Sequence, residues 1–251
     1  MKTNLTILTG ASRGMGLAMA RQLLHPGHTL LTLSRTVNES LTADAAAASA
    51  TLVQWSVDLA DARAVTARLS AWLAAQPQGV FTAVTLINNA GVIPRIGPLS
   101  EAEPDDLAHA LRVGLEAPMA LTAAFLQATA AWPVARKVLN ISSGLGRRAM
   151  ASQAGYCAAK AGMDHFTRCL ALEEALKPAG ARVCSLAPGV IDTDMQVQLR
   201  GADPADFPDR AAFTGMKEKG QLAAPDEAAA RVLAFLDRPD FGANPVADVR
   251  D

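Results

Sequence analysis

The chain has 251 residues, of which half are hydrophobic, 19% are charged and 4% are aromatic. This composition excludes disordered, collagen-like and disulfide-stapled proteins, and it predicts a single domain over residues 1–251 with a core of Ala, Val, Leu and Ile. The net charge of −1 provides no global field that would favour nucleic acid or an anionic membrane. Three cysteines without metal-binding spacing (Cys157, Cys169 and Cys184) indicate a reduced, cytoplasmic compartment.

Short apolar runs alternate along the chain with longer helical patterns, as expected for βαβ units. The predicted strands are Leu5–Thr9, Thr29–Ser34, Thr51–Val57, Ala83–Asn88, Lys137–Ser142, Arg182–Leu186 and Pro245–Val249. The predicted helices are Gly14–Leu24, Ala43–Ala50, Asp61–Ala75, Pro104–Ala131, Gln153–Leu176 and Pro225–Leu236. Right-handed crossovers then predict an α/β fold: a Rossmann-type, doubly wound parallel sheet of about seven strands, with helices on both faces and ligands at the carboxyl ends of the strands.

One uncharged stretch, Ala117–Ala135, approaches membrane-spanning length. It contains Pro118 and Pro133, and much of it is alanine rather than leucine or isoleucine. The stretch therefore predicts a helix buried among its neighbours, and we expect no membrane-spanning segment.

A glycine-rich turn follows the first predicted strand and leads directly into a helix. Its sequence is Gly10-Ala11-Ser12-Arg13-Gly14-Met15-Gly16. The glycines let the backbone turn tightly and approach a pyrophosphate, which would rest at the positive end of the helix. The spacing differs from the commoner G-x-G-x-x-G, and a tight turn without a ligand is the alternative interpretation.

The end of the second predicted strand bears on the choice of cofactor. A carboxylate there would accept a hydrogen bond from the ribose of NAD(H), whereas arginine would pair with the 2′-phosphate of NADP(H). The strand ends at Ser34-Arg35 without an acidic residue, and Arg13 lies in the glycine turn. Two guanidinium groups favour NADP(H), with NAD(H) as the alternative, unless both are solvated surface charges. Asp58, after the third strand, is a candidate to bind the adenine amino group or to cap the helix near Asp61.

The segment from Tyr156 to Lys160 carries the strongest chemical signal. The two residues are four apart and share one helical face, and Tyr156 is the only tyrosine. A neighbouring ammonium lowers the pKa of a phenol from about 10 towards the range in which it exchanges a proton with substrate. Ser143, thirteen residues before Tyr156, is a candidate donor to the same carbonyl oxygen, with Ser142 as the competing choice. Taken alone, the pair is also compatible with a helix that has no chemistry.

Together these motifs resemble the short-chain dehydrogenase/reductase family over nearly the whole chain. The matching segments are Thr9-Gly10 through Gly14-x-Gly16, Asn88-Asn89-Ala90-Gly91, Ser143, Tyr156-x-x-x-Lys160 and Pro188-Gly189-Val190-Ile191-Asp192-Thr193. Within the family, Asn140–Gly144, Gly155–Cys157 and Ala187–Gln196 are similar to bacterial benzil reductases related to sepiapterin reductases. The resemblance implies an NADPH-dependent carbonyl reductase, reversible as an alcohol dehydrogenase, acting on a small ketone or diketone.

The resemblance also implies roles for individual residues. The catalytic set is Ser143, Tyr156 and Lys160, in which Tyr156 protonates the carbonyl oxygen. The cofactor-binding set is Gly10, Ser12, Arg13, Gly14, Met15, Gly16, Ser34, Arg35, Asp58, Asn89, Ala90, Gly91, Tyr156, Lys160, Pro188, Gly189, Ile191 and Thr193. In that set the three turn glycines hold the pyrophosphate, and Asn89-Ala90-Gly91 line the adenosine side. Lys160 binds the nicotinamide ribose, and Ile191 and Thr193 contact the carboxamide.

One position departs from the family pattern V-N-L-x-A-P. The chain reads Val113-Gly114-Leu115-Glu116-Ala117-Pro118, so that Gly114 stands where the family has Asn. In the family, the main-chain carbonyl of that Asn is thought to hold a water that links the lysine to solvent. Gly114 keeps the carbonyl, and we expect reduced but not abolished turnover. A non-catalytic sensor that binds NADP(H) is the alternative function.

A long connection over residues 194–221 is predicted to form a substrate lid. Its apolar side chains would suit an aromatic or aliphatic ketone, with ordinary packing as the alternative; they are Met195, Phe207, Phe213 and Met216. The four histidines show no paired spacing, so no metal site is expected. The resemblance implies a homodimer or homotetramer, and we expect no nucleic-acid or membrane partner.

Overall fold

The computed structural model describes residues 3–77 and 79–251, so that Met1, Lys2 and Gln78 of the predicted domain lie outside the described residues. The strands in the described part are β1 (Thr3–Thr9), β2 (His28–Ser34), β3 (Thr51–Ser56), β4 (Phe81–Asn88), β5 (Ala135–Ile141), β6 (Arg182–Ala187) and β7 (Val246–Asp248). They form one sheet in the order β3-β2-β1-β4-β5-β6-β7, and every neighbouring pair is parallel. The predicted doubly wound parallel sheet is confirmed.

The α-helices of the described part are α1 (Gly14–Leu23), α2 (Glu39–Ala47), α3 (Ala62–Ala74), α4 (Pro104–Leu111), α5 (Ala117–Ala128), α6 (Ala154–Ala175), α7 (Asp194–Gly201), α8 (Arg210–Glu218) and α9 (Pro225–Asp237). A π-helical segment, Arg112–Glu116, joins α4 to α5, and two short 3-10 turns lie at Leu99–Glu101 and Gly144–Gly146. Within these residues, no helix is both long enough and apolar enough to cross a bilayer.

Helices cover both faces of the sheet, because the strands are apolar on both faces. On one face α1, α2 and α9 form a core around Met19, Leu41 and Val232. On the other face α3, α5 and α6 form a second core, in which Leu69 and Phe125 are fully buried. These two layers fix the positions at which the strands end.

The strand order reverses at β1, which pairs with β2 on one side and with β4 on the other. Consecutive crossovers therefore leave in opposite directions, which opens a crevice at the carboxyl ends of these strands. Buried polar side chains tie this edge together: Asn88 Nδ2 donates to Asn140 Oδ1 at 2.8 Å, and Asn140 Nδ2 donates to Thr167 Oγ1 at 2.9 Å. These bonds join β4, β5 and α6 beneath the crevice.

Three predicted elements differ from the structure. The helix predicted over Ala43–Ala50 is α2, which begins at Glu39 because Asn38 caps it by accepting the N–H of Leu41. The single helix predicted over Pro104–Ala131 is α4, the π segment and α5, since a glycine at position 114 weakens regular α-helical winding and permits the extra residue of a π turn. The long connection predicted over residues 194–221 contains α7 and α8, whose shortness hid their periodicity.

Candidate active site

A cleft of about 1060 Å³ opens at the carboxyl ends of the strands, beside the reversal at β1. Its volume lies just above the roughly 300–1,000 Å³ usual for small-molecule sites. All of the predicted catalytic and cofactor-binding residues line this cleft except Gly16. The fold therefore brings together side chains that are up to 183 residues apart, from Gly10 to Thr193.

The glycine turn depends on two backbone positions that tolerate no side chain. Gly10 has φ +72°, and a Cβ atom there would lie 2.9 Å from Ala90 Cα. A Cβ atom on Gly16 would lie 2.0 Å from the Gly10 carbonyl oxygen and 2.6 Å from Asn89 Nδ2. Gly16 is buried and does not line the cleft. Its role is therefore to let the turn close, and it does not contact a ligand in the cleft.

Asn89 braces this turn from β4. Its Nδ2 donates to the carbonyl oxygens of Thr9 and Gly10 at 3.0 and 3.2 Å. Thr9 Oγ1 in return accepts the backbone N–H groups of Asn89 and Ala90 at 2.9 and 3.0 Å. The amide nitrogen of Asn89 is therefore already hydrogen-bonded within the protein. Of its expected contact with the adenosine, only its place in the cleft wall remains.

The end of β2 presents cations and hydroxyls but no carboxylate. Ser34 Oγ accepts the backbone N–H of Ala11 at 2.9 Å, which fastens the glycine turn to β2. Arg35 follows at the cleft edge. Arg13 Nη1 lies 2.7 Å from Asp194 Oδ2, and both side chains are about two-thirds exposed, at 70% and 66%.

Asp58 faces the same end of the cleft and does not cap α3. Its Oδ1 accepts the N–H of Ala60 at 2.9 Å, whereas Asp61 is the N-cap and accepts the N–H of Ala64 at 3.1 Å. The two roles that the sequence left open for Asp58 are therefore separated, because the capping role belongs to Asp61.

Tyr156, Lys160 and Ser143 line the same cleft. The α6 register places Tyr156 and Lys160 on one face, and both are buried, with exposed fractions of 8% and 4%. Lys160 Nζ lies 5.7 Å from the centre of the phenol ring and donates to the Ile141 carbonyl oxygen at 2.7 Å. The end of β5 therefore holds the ammonium beside the phenol.

Burial controls the protonation of this pair. It raises the pKa of Tyr156 to about 12, while hydrogen bonding with Ser143 acts in the opposite direction. Burial also lowers the pKa of Lys160 to about 8, opposed by the charge of Asp164. The predicted lowering of the phenol pKa is not found, because desolvation is the largest influence on the pKa of Tyr156 and raises it. At neutral pH the phenol keeps its proton.

The two serines after β5 differ in their surroundings. Ser143 Oγ accepts the backbone N–H of Leu145 at 3.1 Å and also faces Tyr156, whose pKa it lowers. Ser142 Oγ is buried without a hydrogen-bond partner among the described residues. Ser143 therefore caps the following 3-10 turn as well as facing Tyr156.

Gly114 lies in the π segment and packs against the helix that carries the tyrosine. A Cβ atom at Gly114 would lie 3.1 Å from Ala159 Cβ, next to Lys160. The helix is therefore interrupted at a glycine. The contact with Ala159 leaves little room for a larger residue at position 114.

The segment after β6 closes the opposite wall. Pro188, Gly189, Ile191 and Thr193 line the cleft, and Thr193 Cγ2 lies 3.4 Å from the position of a Cβ atom on Gly14. The apolar side chains predicted for the lid separate into two groups. Met195, Phe213 and Met216 line the cleft, whereas Phe207 is fully buried against Phe213 at 5.6 Å between ring centres.

Sequence reasoning missed several residues of the cleft wall, among them Gln153, His109 and Met150. Gln153 lies three residues before Tyr156 and seven before Lys160, which is the spacing of one helical face. That spacing was available in the sequence. The contribution of His109 and Met150 depends on long-range packing and leaves no local pattern.

Across residues 3–77 and 79–251, no group of three or more His, Cys, Asp or Glu side chains is arranged to hold a metal ion.

Comparisons with known proteins place the chain in a family. A family model for short chain dehydrogenases matches residues 4–203. The chain is 34% identical to a benzil reductase ((S)-benzoin forming) of Bacillus cereus, over 94% of each chain. It is also 34% identical to a sepiapterin reductase of Xenopus tropicalis, over 93% of this chain and 91% of the relative. Among solved structures, a metagenomic short-chain oxidoreductase in complex with NADP has a TM-score of 0.73 at 27% identity, covering 98% of this chain and 95% of that one.

Gly16→Ala is expected to lower the melting temperature, because the new Cβ atom would have to displace the Gly10 carbonyl from 2.0 Å. The matched control is Gly215→Ala in α8, where the added atom meets open space and alanine favours the helix. Thermal unfolding followed by circular dichroism compares the two. Equal melting temperatures for both variants would show that the turn relaxes without cost.

Proposed function

We propose that this chain, which belongs to the short-chain dehydrogenase family, is an NADPH-dependent carbonyl reductase for a small ketone or diketone. It is an oxidoreductase acting on CH–OH or C=O groups, as its relatives indicate. The observation that carries the finer proposal is the meeting of a protonated, buried Tyr156 with Ser143 and Lys160 in the cleft that the glycine turn lines.

The residues present fit a nicotinamide dinucleotide. The turn at Gly10 and Gly14 exposes backbone at the N-terminus of α1, which suits a pyrophosphate. When bound, the reduced cofactor supplies a hydride to the carbonyl carbon. The cleft volume also leaves room for a substrate beside it.

A preference for NADP(H) is supported by the charges at the end of β2. Arg35 and Arg13 flank the position where a carboxylate would favour NAD(H), and no acidic side chain follows Ser34 directly. Arg13 is held by Asp194, but so exposed a pair contributes only about 0–1 kcal/mol. A phosphate dianion therefore competes well for this guanidinium, since bidentate phosphate contacts are the stronger.

Tyr156 acts as the acid in the direction of reduction. With a pKa of about 12, its hydroxyl is protonated at neutral pH and has a proton to donate to the carbonyl oxygen. Ser143 donates to the same oxygen and stabilises the charge that develops there. Lys160, fixed by the Ile141 carbonyl, keeps a positive charge beside the phenol and favours the phenolate left after the transfer.

The segment over residues 194–221 serves as the cover of the substrate side. Met195, Phe213 and Met216 present apolar surface to the cleft, which suits an aromatic or aliphatic ketone. Phe207 anchors the segment through the small cluster that it forms with Leu199 and Phe213.

The sensor alternative was motivated by Gly114. The π segment forms around this glycine, and no observation in the cleft favours binding without turnover. We therefore retain the reductase as the proposal.

Tyr156→Phe is expected to lower the rate of benzil reduction by NADPH at least about 100-fold, because the proton donor is lost. NADPH binding, measured by fluorescence titration, stays close to that of the wild type. Ser143→Ala and Ser142→Ala form a matched pair, and only the former should lower kcat strongly. A wild-type rate retained by Tyr156→Phe would contradict the assigned acid.

The two directions of the reaction are expected to respond differently to pH. Reduction needs the protonated phenol, whose pKa is about 12, so its rate should be flat between about pH 6 and 7.5. Oxidation of benzoin needs the phenolate, and its rate should rise nearly tenfold per pH unit over that range, which lies below the pKa of Lys160 at about 8. Steady-state kcat/KM measured in both directions tests this, and a flat oxidation profile would refute a base with a raised pKa.

Arg35→Ala and Arg13→Ala are each expected to raise the KM for NADPH about tenfold, because a contact to the 2′-phosphate is lost. The KM for NADH should change less than about threefold, since NADH lacks that phosphate. Arg231→Ala on α9, a surface arginine paired with Glu227, is the control. Equal losses with both cofactors would argue against 2′-phosphate recognition.

A further inference from the structure

Gln153 is a buried amide without partners at the wall of the cleft. Its side chain is 1% exposed, and neither Nε2 nor Oε1 has a hydrogen-bond partner among the described residues. Most buried polar atoms are paired, because an unpaired one loses its hydration without compensation. Gln153 also lines the cleft, so that a bound molecule towards which the amide turns would supply the hydrogen-bond partners that the protein does not.

The backbone of Gln153 is fixed at the start of α6, close in sequence to Tyr156, the proposed proton donor. Gln153 is the N-cap of α6, and its carbonyl accepts the N–H of Cys157 at 2.8 Å, so it lies on the Tyr156 face one turn earlier. The preceding Ser152 has φ +62°, which is unfavourable for a residue other than glycine. Ser152 is fixed from both sides, because its hydroxyl donates to the Asp206 carbonyl and its own carbonyl accepts the N–H of Gly97 at 3.3 Å. Such strain persists where the surrounding structure enforces it, commonly at ligand sites.

We propose that Gln153 is a specificity-determining residue that recognises the oxygen on the carbon next to the reacting carbonyl, so that vicinal diketones and α-hydroxy ketones are the preferred substrate class. This inference rests on the proposed carbonyl reductase function. The amide Nε2 donates to a vicinal carbonyl, and Oε1 accepts from a vicinal hydroxyl. A ketone with CH₂ at that position leaves both ends of the amide unpaired.

Two other polar side chains in the cleft have an unpaired buried atom. In Gln196 that atom is Oε1, an acceptor, which cannot bind a carbonyl oxygen. Ser142 Oγ can donate, but it adjoins Ser143 on the β5 side of the cleft. Among the three, Gln153 is the one whose amide donor and amide acceptor are both buried without a partner, and Ser142 and Gln196 serve as comparison residues.

The test uses three probes that differ only at the vicinal position: benzil (C=O), benzoin (CH–OH) and deoxybenzoin (CH₂). Gln153→Met keeps the side-chain length and removes both polar atoms. We expect it to lower kcat/KM for benzil and benzoin by about tenfold to 100-fold, and for deoxybenzoin by less than about threefold. Each value is compared with the wild type on the same probe, which cancels the intrinsic reactivity of the ketone.

Stability distinguishes recognition from a structural role. Because Gln153 makes no side-chain hydrogen bond in the protein, Gln153→Met should melt at or above the wild-type temperature. Gln196→Met is the matched control and should leave the ratio of benzil to deoxybenzoin unchanged. Equal losses on all three probes, an unchanged benzil value, or a selective loss in Ser142→Ala instead would each overturn the proposal.

A wild type that reduces none of the probes would count against the proposed function but would still leave Gln153 testable. Calorimetric titration of the three probes into the wild type and Gln153→Met, each saturated with NADP⁺, then provides the readout. Tighter binding of benzil and benzoin than of deoxybenzoin, lost in the variant, supports the assignment. Equal affinities, or no binding, overturn it.

Discussion

The site depends on the close approach of two backbone turns at the carboxyl ends of β1 and β4. Gly10 sits against Ala90, and Gly16 sits beneath the Gly10 carbonyl at distances that leave no room for a Cβ atom. Asn89 and Thr9 then join the two turns by four hydrogen bonds. Since the sheet reverses its strand order here, this contact shapes the base of the cleft and aims the start of α1 into it. The arginines, the serine loop and α6 are arranged around that base.

Desolvation then determines the chemistry within the cleft. Taking a phenol and an ammonium out of water disfavours the charged form of each, so the pKa of Tyr156 rises and that of Lys160 falls. The pKa of Tyr156 rises from 10.0 to about 12 and that of Lys160 falls from 10.5 to about 8, so that the two values cross and move apart. A phenol that keeps its proton, beside an ammonium group that loses its proton more readily than usual, suits proton donation to a carbonyl oxygen. In the proposed reaction, the same burial makes oxidation the more pH-sensitive direction.

The parallel sheet and its strands followed from the sequence because continuous apolar runs are a strong local signal, whereas the strand order came from the structure. The strands were predicted to within a few residues, and Tyr156, Lys160, Ser143 and the glycine turn were found because their spacing is fixed by one strand end or one helical turn. The sequence did not show the interactions between residues that are far apart along the chain. The pairing of Arg13 with Asp194, the packing role of Gly16 and the direction of the Tyr156 pKa shift each depend on residues that are remote along the chain.

Gln153 combines a local signal in the sequence with an effect that depends on its surroundings in the structure. Its spacing from Tyr156 was visible in the sequence, but its significance comes from the lack of partners in a buried position, which only coordinates reveal. Each unpaired buried polar group costs about 1–3 kcal/mol, and stability alone would favour an apolar side chain here. The strained Ser152 adds to that cost instead of relieving it. Under the proposed function, both penalties lie beside the proton donor and a bound ketone removes them, so that the unsatisfied amide of Gln153 would both favour the right ketone and disfavour the wrong one.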